Sequence, residues 1–218
     1  MIEKITEDNI EYEIEDGVAK LVGFARFLWP PTEKVVVPSY VNGHPVRVIG
    51  AIAFWPSCFK EVVLPETIKV IENRAFYECQ DLEKINFPKS LTDIGRGAFS
   101  NCHSLSSLTI PSTIGFDAEA FYSCSNLKTV KLKEGQLIIP DASFAFCGIE
   151  DLYLPDSLYA ISETAFEFVP EDMVVHCNKG TFAEEWAMEH NFKIDYDRTQ
   201  LNAFLEEVIN SYDTNVTK

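Results

Sequence analysis

Cysteine and histidine are the residues of this chain whose chemistry is tested first; it carries six of one and four of the other. A thiolate attacks carbonyls or disulfides, and thiolate with imidazole binds zinc. The spacing here supports neither. Cys79, Cys102, Cys124 and Cys147 each follow a phenylalanine by three residues, and Cys58 follows one by four. No C-x-x-C occurs, so thiol-redox and zinc motifs are missing from the sequence. Cys102-His103 and His176-Cys177 are sequence neighbours, and neighbours on a strand point to opposite faces. A Cys–His hydrolase also needs an orienting third group and oxyanion donors, and nothing in the sequence identifies them. Gly95-x-Gly97 lacks the third glycine of a phosphate loop and reads as a turn. There is no H-E-x-x-H, G-x-S-x-G or Walker sequence. No catalytic residue, metal ligand or cofactor is assigned.

The cysteines instead mark a period. An Ala-Phe step recurs at Phe54, Phe76, Phe99, Phe121, Phe144 and Phe166, with Ser143 in place of alanine once; the intervals are 22, 23, 22, 23 and 22 residues. An apolar residue precedes each phenylalanine by five: Ile49, Ile71, Ile94, Phe116, Ile139 and Ile161. The other half of the unit is L-x-x-I-x-F-P, as in Leu82 to Pro88, with relatives beginning at Phe59, Leu105, Leu127 and Ile149. Such a period with L-x-x-L-x-L spacing falls in the leucine-rich-repeat range. The last two apolar residues alternate as in a strand with one buried face, and proline, which donates no hydrogen bond, suits its end. One repeat cannot bury its own apolar face, so neighbours must stack, each phenylalanine beside the next. A small, weakly polar side chain at one crowded place per coil explains the cysteines. Stacking also brings Cys79 toward Cys102 and Cys124 toward Cys147, pairs open to oxidation if the protein is exported.

These motifs resemble the BspA-like, or Treponema-pallidum-type, bacterial leucine-rich repeat family, from about Glu11 to Tyr196. Val35 to Phe54 looks like the family's opening segment, and Val174 to Ile194 like its terminal strand, turn and short helix. The resemblance implies an α/β solenoid: a right-handed leucine-rich-repeat coil with a parallel concave β-sheet, an N-terminal β-hairpin cap and a C-terminal helical cap. It implies interaction or adhesion, and no enzyme. The chain departs from the pattern at Phe116, where one residue is missing between strand and turn, at Lys133, where proline is absent, and at Ser143. Those middle repeats are expected to be the least regular.

Four stretches follow. Residues 1–45 form the cap and opening strand. Tyr12–Ile14 and Ala19–Val22 are predicted strands around Asp16-Gly17, Trp29-Pro30-Pro31 is a rigid link, and Val35–Val37 is a strand. Residues 46–175 are the repeats. Residues 176–197 are the terminal cap, where Phe182, Trp186 and Met188 are the expected apolar face of a short helix. Residues 198–218 hold an amphipathic helix with Leu201, Phe204, Leu205, Val208, Ile209 and Tyr212 on one stripe. That helix either packs back on the cap or docks a partner or second copy.

The outward strand positions carry whatever function the face has. One column reads Glu61, Lys84, Ser107, Thr129, Asp151, and the other Val63, Asn86, Thr109, Lys131, Tyr153. Either this is a solvated sheet face or it is a polar binding face around Lys84, Asn86, Thr109, Lys131 and Tyr153. A net charge of −16, from 34 acids and 18 bases, argues against nucleic acid and anionic membrane surfaces, which want clustered lysine and arginine. No apolar run approaches the ~20 residues of a membrane helix. MIEKITEDNIEYEIED has acids where a secretory leader has its apolar core. The expectation is a cytoplasmic protein as written, cell-surface or secreted if a leader precedes it. The expected activity is a non-catalytic module that binds a protein or peptide partner, monomeric or weakly dimeric. The alternative is a structural or adhesion element of a bacterial surface protein, self-associating through the final helix.

Overall fold

The computed structural model describes residues 2–25, 33–55, 58–111 and 114–197. The Trp29-Pro30-Pro31 link and the helix expected after Asp197 lie outside these residues. The described chain is a right-handed parallel solenoid of about seven turns with one short helix near its C-terminal end. Each coil contributes a strand from its L-x-x-I-x-F segment and a second, two-residue strand ending at the apolar residue five before the phenylalanine.

The first row of strands begins Lys34–Val36, Glu61–Val63, Lys84–Ile85, paired in parallel. It resumes as five parallel strands: Ser107–Ile110, Thr129–Leu132, Asp151–Tyr153, Val174–His176 and Lys193–Asp195. In the second row His44–Ile49, Val70–Ile71, Asp93–Ile94 and Gly115–Phe116 pair in sequence, and Ile138–Ile139 pairs with Ala160–Ile161. The turn after the second row makes a further ladder. The N–H of Phe54 donates to Ala75 O at 2.9 Å, Phe76 to Ala98 O at 2.8 Å, Phe99 to Ala120 O at 2.8 Å and Phe121 to Ser143 O at 2.9 Å. Backbone crowds backbone here, which is why the position is alanine. Ser143 keeps the ladder because its hydroxyl donates to Pro140 O at 2.8 Å and so is not left unsatisfied on burial.

Inside the coil the rings of Phe54, Phe76, Phe99, Phe121, Phe144 and Phe166 stack face on face, centroids 4.4–5.5 Å apart. Phe24 of the N-terminal cap meets Phe54 edge-on, and Trp186 of the C-terminal helix closes on Phe166. The core is therefore one uninterrupted stack from cap to cap.

Two row breaks have local causes. In regular parallel pairing Leu64 N–H would donate to the Asn86 carbonyl, as Leu154 N–H does to His176 O at 3.0 Å in the longer sheet. Here it donates to the Asn86 side chain at 2.7 Å, and the Asn86 amide returns a bond to Leu64 O at 2.8 Å. The side chain replaces its own backbone, and the strand ends at Ile85. The second-row break follows from Pro140. Glu72, Gly95, Asp117 and Ser162 each donate an N–H to the previous coil at this column, and Pro140 has none to give to Phe116.

Two expectations are corrected and one is extended. The second row does break beside Phe116, but the loss of proline at Lys133 lengthens the first row instead of loosening it: Lys133 N–H donates to Ile110 O at 3.1 Å. The expected N-terminal hairpin forms, and a further strand extends it to a three-stranded meander. Glu3–Glu7 pairs antiparallel with Ile10–Glu15, which pairs with Val18–Phe24. The first of these carries one apolar residue, Ile5, and its charges suit an exposed edge. Val18–Phe24 then pairs in parallel with His44–Ile49, so the cap is continuous with the second row. In the C-terminal helix, Phe182–Glu189, the buried face is Ala183, Trp186 and Ala187, while Met188 points out, 57% exposed.

Replacement of Phe99, whose ring lies between those of Phe76 and Phe121, tests the stack. Phe99→Ala is expected to lower the unfolding free energy in urea by about 3–5 kcal/mol; a loss within 1 kcal/mol would remove the continuous stack as the core.

Candidate interaction surface

The thiols are the most reactive groups the fold positions, and the fold silences them. Cys79, Cys102, Cys124, Cys147 and Cys177 are buried and Cys58 is exposed; none is in a disulfide. Four of them donate to a phenylalanine carbonyl of the preceding coil: Cys79 to Phe54 at 3.4 Å, Cys102 to Phe76 at 3.2 Å, Cys124 to Phe99 at 3.2 Å and Cys147 to Phe121 at 3.1 Å. The repeat thus uses cysteine as a small apolar residue with one weak donor, which adds a bond to a phenylalanine carbonyl of the preceding coil. Burial pushes the Cys102 and Cys124 thiols well above the usual range. Thiolate, the nucleophilic form, is disfavoured there. Among the described residues no group of three or more His, Cys, Asp or Glu is arranged to hold a metal ion.

The open face of the first row is the alternative surface. The predicted columns are in register. Lys34, Glu61 and Lys84 are Cα partners, and the Lys34 ammonium pairs with the Glu61 carboxylate at 2.7 Å. Ser107, Thr129 and Asp151 align on the longer sheet, as do Thr109, Lys131 and Tyr153. The structure therefore brings Thr109, Lys131 and Tyr153 together. It leaves Lys84 and Asn86 on the shorter sheet, across the row break. Lys84 is exposed; Asn86 is half-buried with its amide on the Leu64 backbone.

Tyr153 is outward-facing yet only 3% exposed. The Lys131 ammonium lies 4.9 Å from its ring centroid, and the His176 imidazole stacks on it at 4.1 Å and 6°. His176 continues the column, followed by Asp195. Its Nε2 is 2.8 Å from Asp151 Oδ1 in a hydrogen bond, and its Nδ1 is 3.4 Å from Asp195 Oδ2, an ion-pair distance without hydrogen-bond geometry. Burial, then Asp151 and Asp195, raises the Tyr153 hydroxyl pKa, so it stays a neutral donor. His176 and Cys177 do lie on opposite faces: the imidazole sits on the sheet face and the thiol in the core. Sequence reasoning weighed His176 only as half of a chelating pair. The signal for its true place was available: Val174-x-His176 occupies the same two outward positions as Asp151-x-Tyr153.

The end of this surface is held by the helix cap. Thr181 Oγ1 accepts from Glu184 N–H at 3.3 Å, while the Glu184 carboxylate accepts from Gly180 N–H and the Tyr196 hydroxyl, both at 2.6 Å. This is a capping box displaced by one residue. The Tyr196 hydroxyl and the Gly180 N–H hold the Glu184 carboxyl below the usual carboxylate range. The short strand Lys193–Asp195 is thereby fixed against Val174–His176.

A wound ribbon of parallel strands with one continuous ring stack defines a solenoid repeat protein. Six copies of the BspA type leucine rich repeat region match residues 47–170, and the chain belongs to that family. Its members are typically protein-interaction or surface modules. Comparison with curated proteins returns no match. Among solved structures the chain is similar to a leucine-rich repeat protein from Bacteroides ovatus, with 28% identity, 75% of this chain and 50% of that one covered, and a TM-score of 0.57. It is also similar to the pneumococcal vaccine antigen PcpA (18% identity, 82% and 50% covered, TM-score 0.66) and to the Treponema pallidum leucine rich repeat protein (20%, 89% and 99%, 0.61). These last two share the fold. The chain spans half the length of the Bacteroides and pneumococcal structures. No helix among the described residues is long and apolar enough to cross a membrane.

Thiol reactivity measures the silencing directly. With a chromogenic disulfide reagent at pH 8, the folded protein is expected to titrate one fast thiol, Cys58, and the unfolded protein all six. Rapid titration of three or more in the folded state would show that the ladder thiols are open to solvent.

Proposed function

We propose that the chain is a non-catalytic interaction module that binds a protein or peptide partner on the open face of the first row, around Thr109 and Lys131, with Lys84 across the break. The observation that carries this reading is the column Thr109, Lys131, Tyr153, His176, Asp195, set on adjacent parallel strands. Its lower half is immobilised by stacking and by the Asp151–His176 bond. A surface held this way loses little side-chain freedom on binding, which favours affinity. The column runs from Lys131 to Asp195, with Asp151 in the column beside it, so it offers a partner charges of both signs rather than a single sign. Family membership supports interaction as the type of activity.

The test leaves Asn86 and Tyr153 in place, because both also hold the fold together. The triple variant Lys84→Glu, Thr109→Arg, Lys131→Glu is expected to keep the native circular dichroism. In side-by-side affinity capture it is expected to lose at least about tenfold of a protein that the unaltered chain retains, from one or two lost anchor contacts. Undiminished retention of the same protein would remove this face as the binding site.

A further inference from the structure

We propose that the turn edge of the last coils, carrying Phe146 and Phe168, is a second docking surface, and that its occupant is a lysine- or arginine-bearing segment of a partner protein. The argument starts from the backbone. Two residues after five of the ladder phenylalanines, Phe76 to Phe166, the chain is left-handed: φ is 57° at Glu78, 63° at Asn101, 58° at Ser123, 60° at Phe146 and 59° at Phe168. The fold imposes this conformation coil after coil. Glycine and asparagine tolerate it best, and a bulky aromatic residue there is an outlier. The first three of these five coils place polar residues at the column. The last two place phenylalanine.

The core does not need these two rings. Phe144 and Phe166 already fill the interior of the same coils. Phe146 and Phe168 lie outside, 42% and 71% exposed, stacked on each other at 4.4 Å and 19°. Tyr122 adds its ring edge-on to Phe146 at 5.3 Å. The result is a short aromatic ridge in water, at positions where the same fold elsewhere uses glutamate, asparagine and serine.

Charge identifies the occupant. Glu167 is the residue before Phe168, and its carbonyl accepts the Phe146 N–H at 2.9 Å. Glu163, Glu167, Glu171 and Asp172 are all exposed. Residues 134–197 hold 14 of the 34 acids but only two of the 18 bases, Lys179 and Lys193. Lys179 already sits over the Tyr196 ring. An aromatic face beside carboxylates is the environment that attracts guanidinium and ammonium groups, by cation–π attraction to the ring and ion pairing to the acids. The same field repels nucleic acid and anionic lipid, and it opposes a second copy of this chain.

Fluorescein-labelled octa-arginine, titrated into the full chain and followed by anisotropy, tests the proposal. Binding is expected, weaker at 300 mM than at 50 mM salt (both chosen concentrations, about 6 and 14 Å in Debye length). Phe146→Asn with Phe168→Asn is expected to weaken it about fivefold or more, with an unfolding midpoint unchanged or raised because asparagine suits the left-handed backbone. Phe146→Tyr with Phe168→Tyr, which keeps both rings, is expected to stay within about twofold of the unaltered chain. Equal affinity for the asparagine variant, or no binding by the unaltered chain, overturns the proposal. So does a concentration-dependent dimer that the asparagine substitutions disperse, which would make the ridge a face between copies. None of these variants touches the first-row face, so failure here and failure there are separately visible.

Discussion

Every coil of this protein must hand its backbone groups and its ring to a neighbour one strand spacing away, about 4.8 Å. That single distance governs the rest. A phenylalanine can stack on its counterpart only if the coils stay in register, and the rings hold that register over six coils at 4.4–5.5 Å. Alanine, or serine with its hydroxyl answered, is required where turn backbones meet. Cysteine sits where a buried, apolar space meets the phenylalanine carbonyl of the preceding coil, to which its thiol donates. The reactive-looking residues are therefore consequences of packing.

The same constraint explains why the rows can be interrupted without ending the solenoid. Asn86 and Pro140 each cancel backbone bonds in one row, and at neither place does the ring stack stop. Cohesion is shared among three ladders and the core, so a local substitution breaks one and leaves the others. Each interruption also has a surface effect. Asn86 divides the first-row face into a three-stranded and a five-stranded sheet, and the longer one carries the ordered polar column.

The C-terminal coils combine an organised polar surface with a strongly acidic stretch, 14 acids to two bases over residues 134–197. His176 is buried against Tyr153 with a carboxylate near each ring nitrogen: Nε2 is hydrogen-bonded to Asp151, while Nδ1 has only the Asp195 carboxylate at 3.4 Å. The helix cap anchors the strand that supplies Asp195. On the turn edge of these coils, two aromatic rings stand in water among acids. The two faces differ in chemistry: one presents a mixed-sign row on a rigid sheet, the other apolar rings in a negative field.

The repeat length, the stacking partners, the buried cysteines and the outward columns were all legible in the sequence, because identical environments one period apart impose identical residue choices. The register of Thr109, Lys131 and Tyr153 followed from that period alone. Departures from the period were visible as letters, but their sign was not. A missing proline at Lys133 lengthened a strand, since what mattered was whether Ile110 O lay within reach of the restored N–H. Pro140 broke a row, since its column happened to be a donor column. Asn86 looked like a free surface amide until its side chain was seen to replace its own backbone. Tyr153 and His176, 23 residues apart, form one buried stack only because adjacent coils superimpose them. Periodicity determines which residues are equivalent. Only the packed structure decides whether a given polar group is spent on a neighbour or left for a partner, because that depends on distances between coils that no single repeat contains.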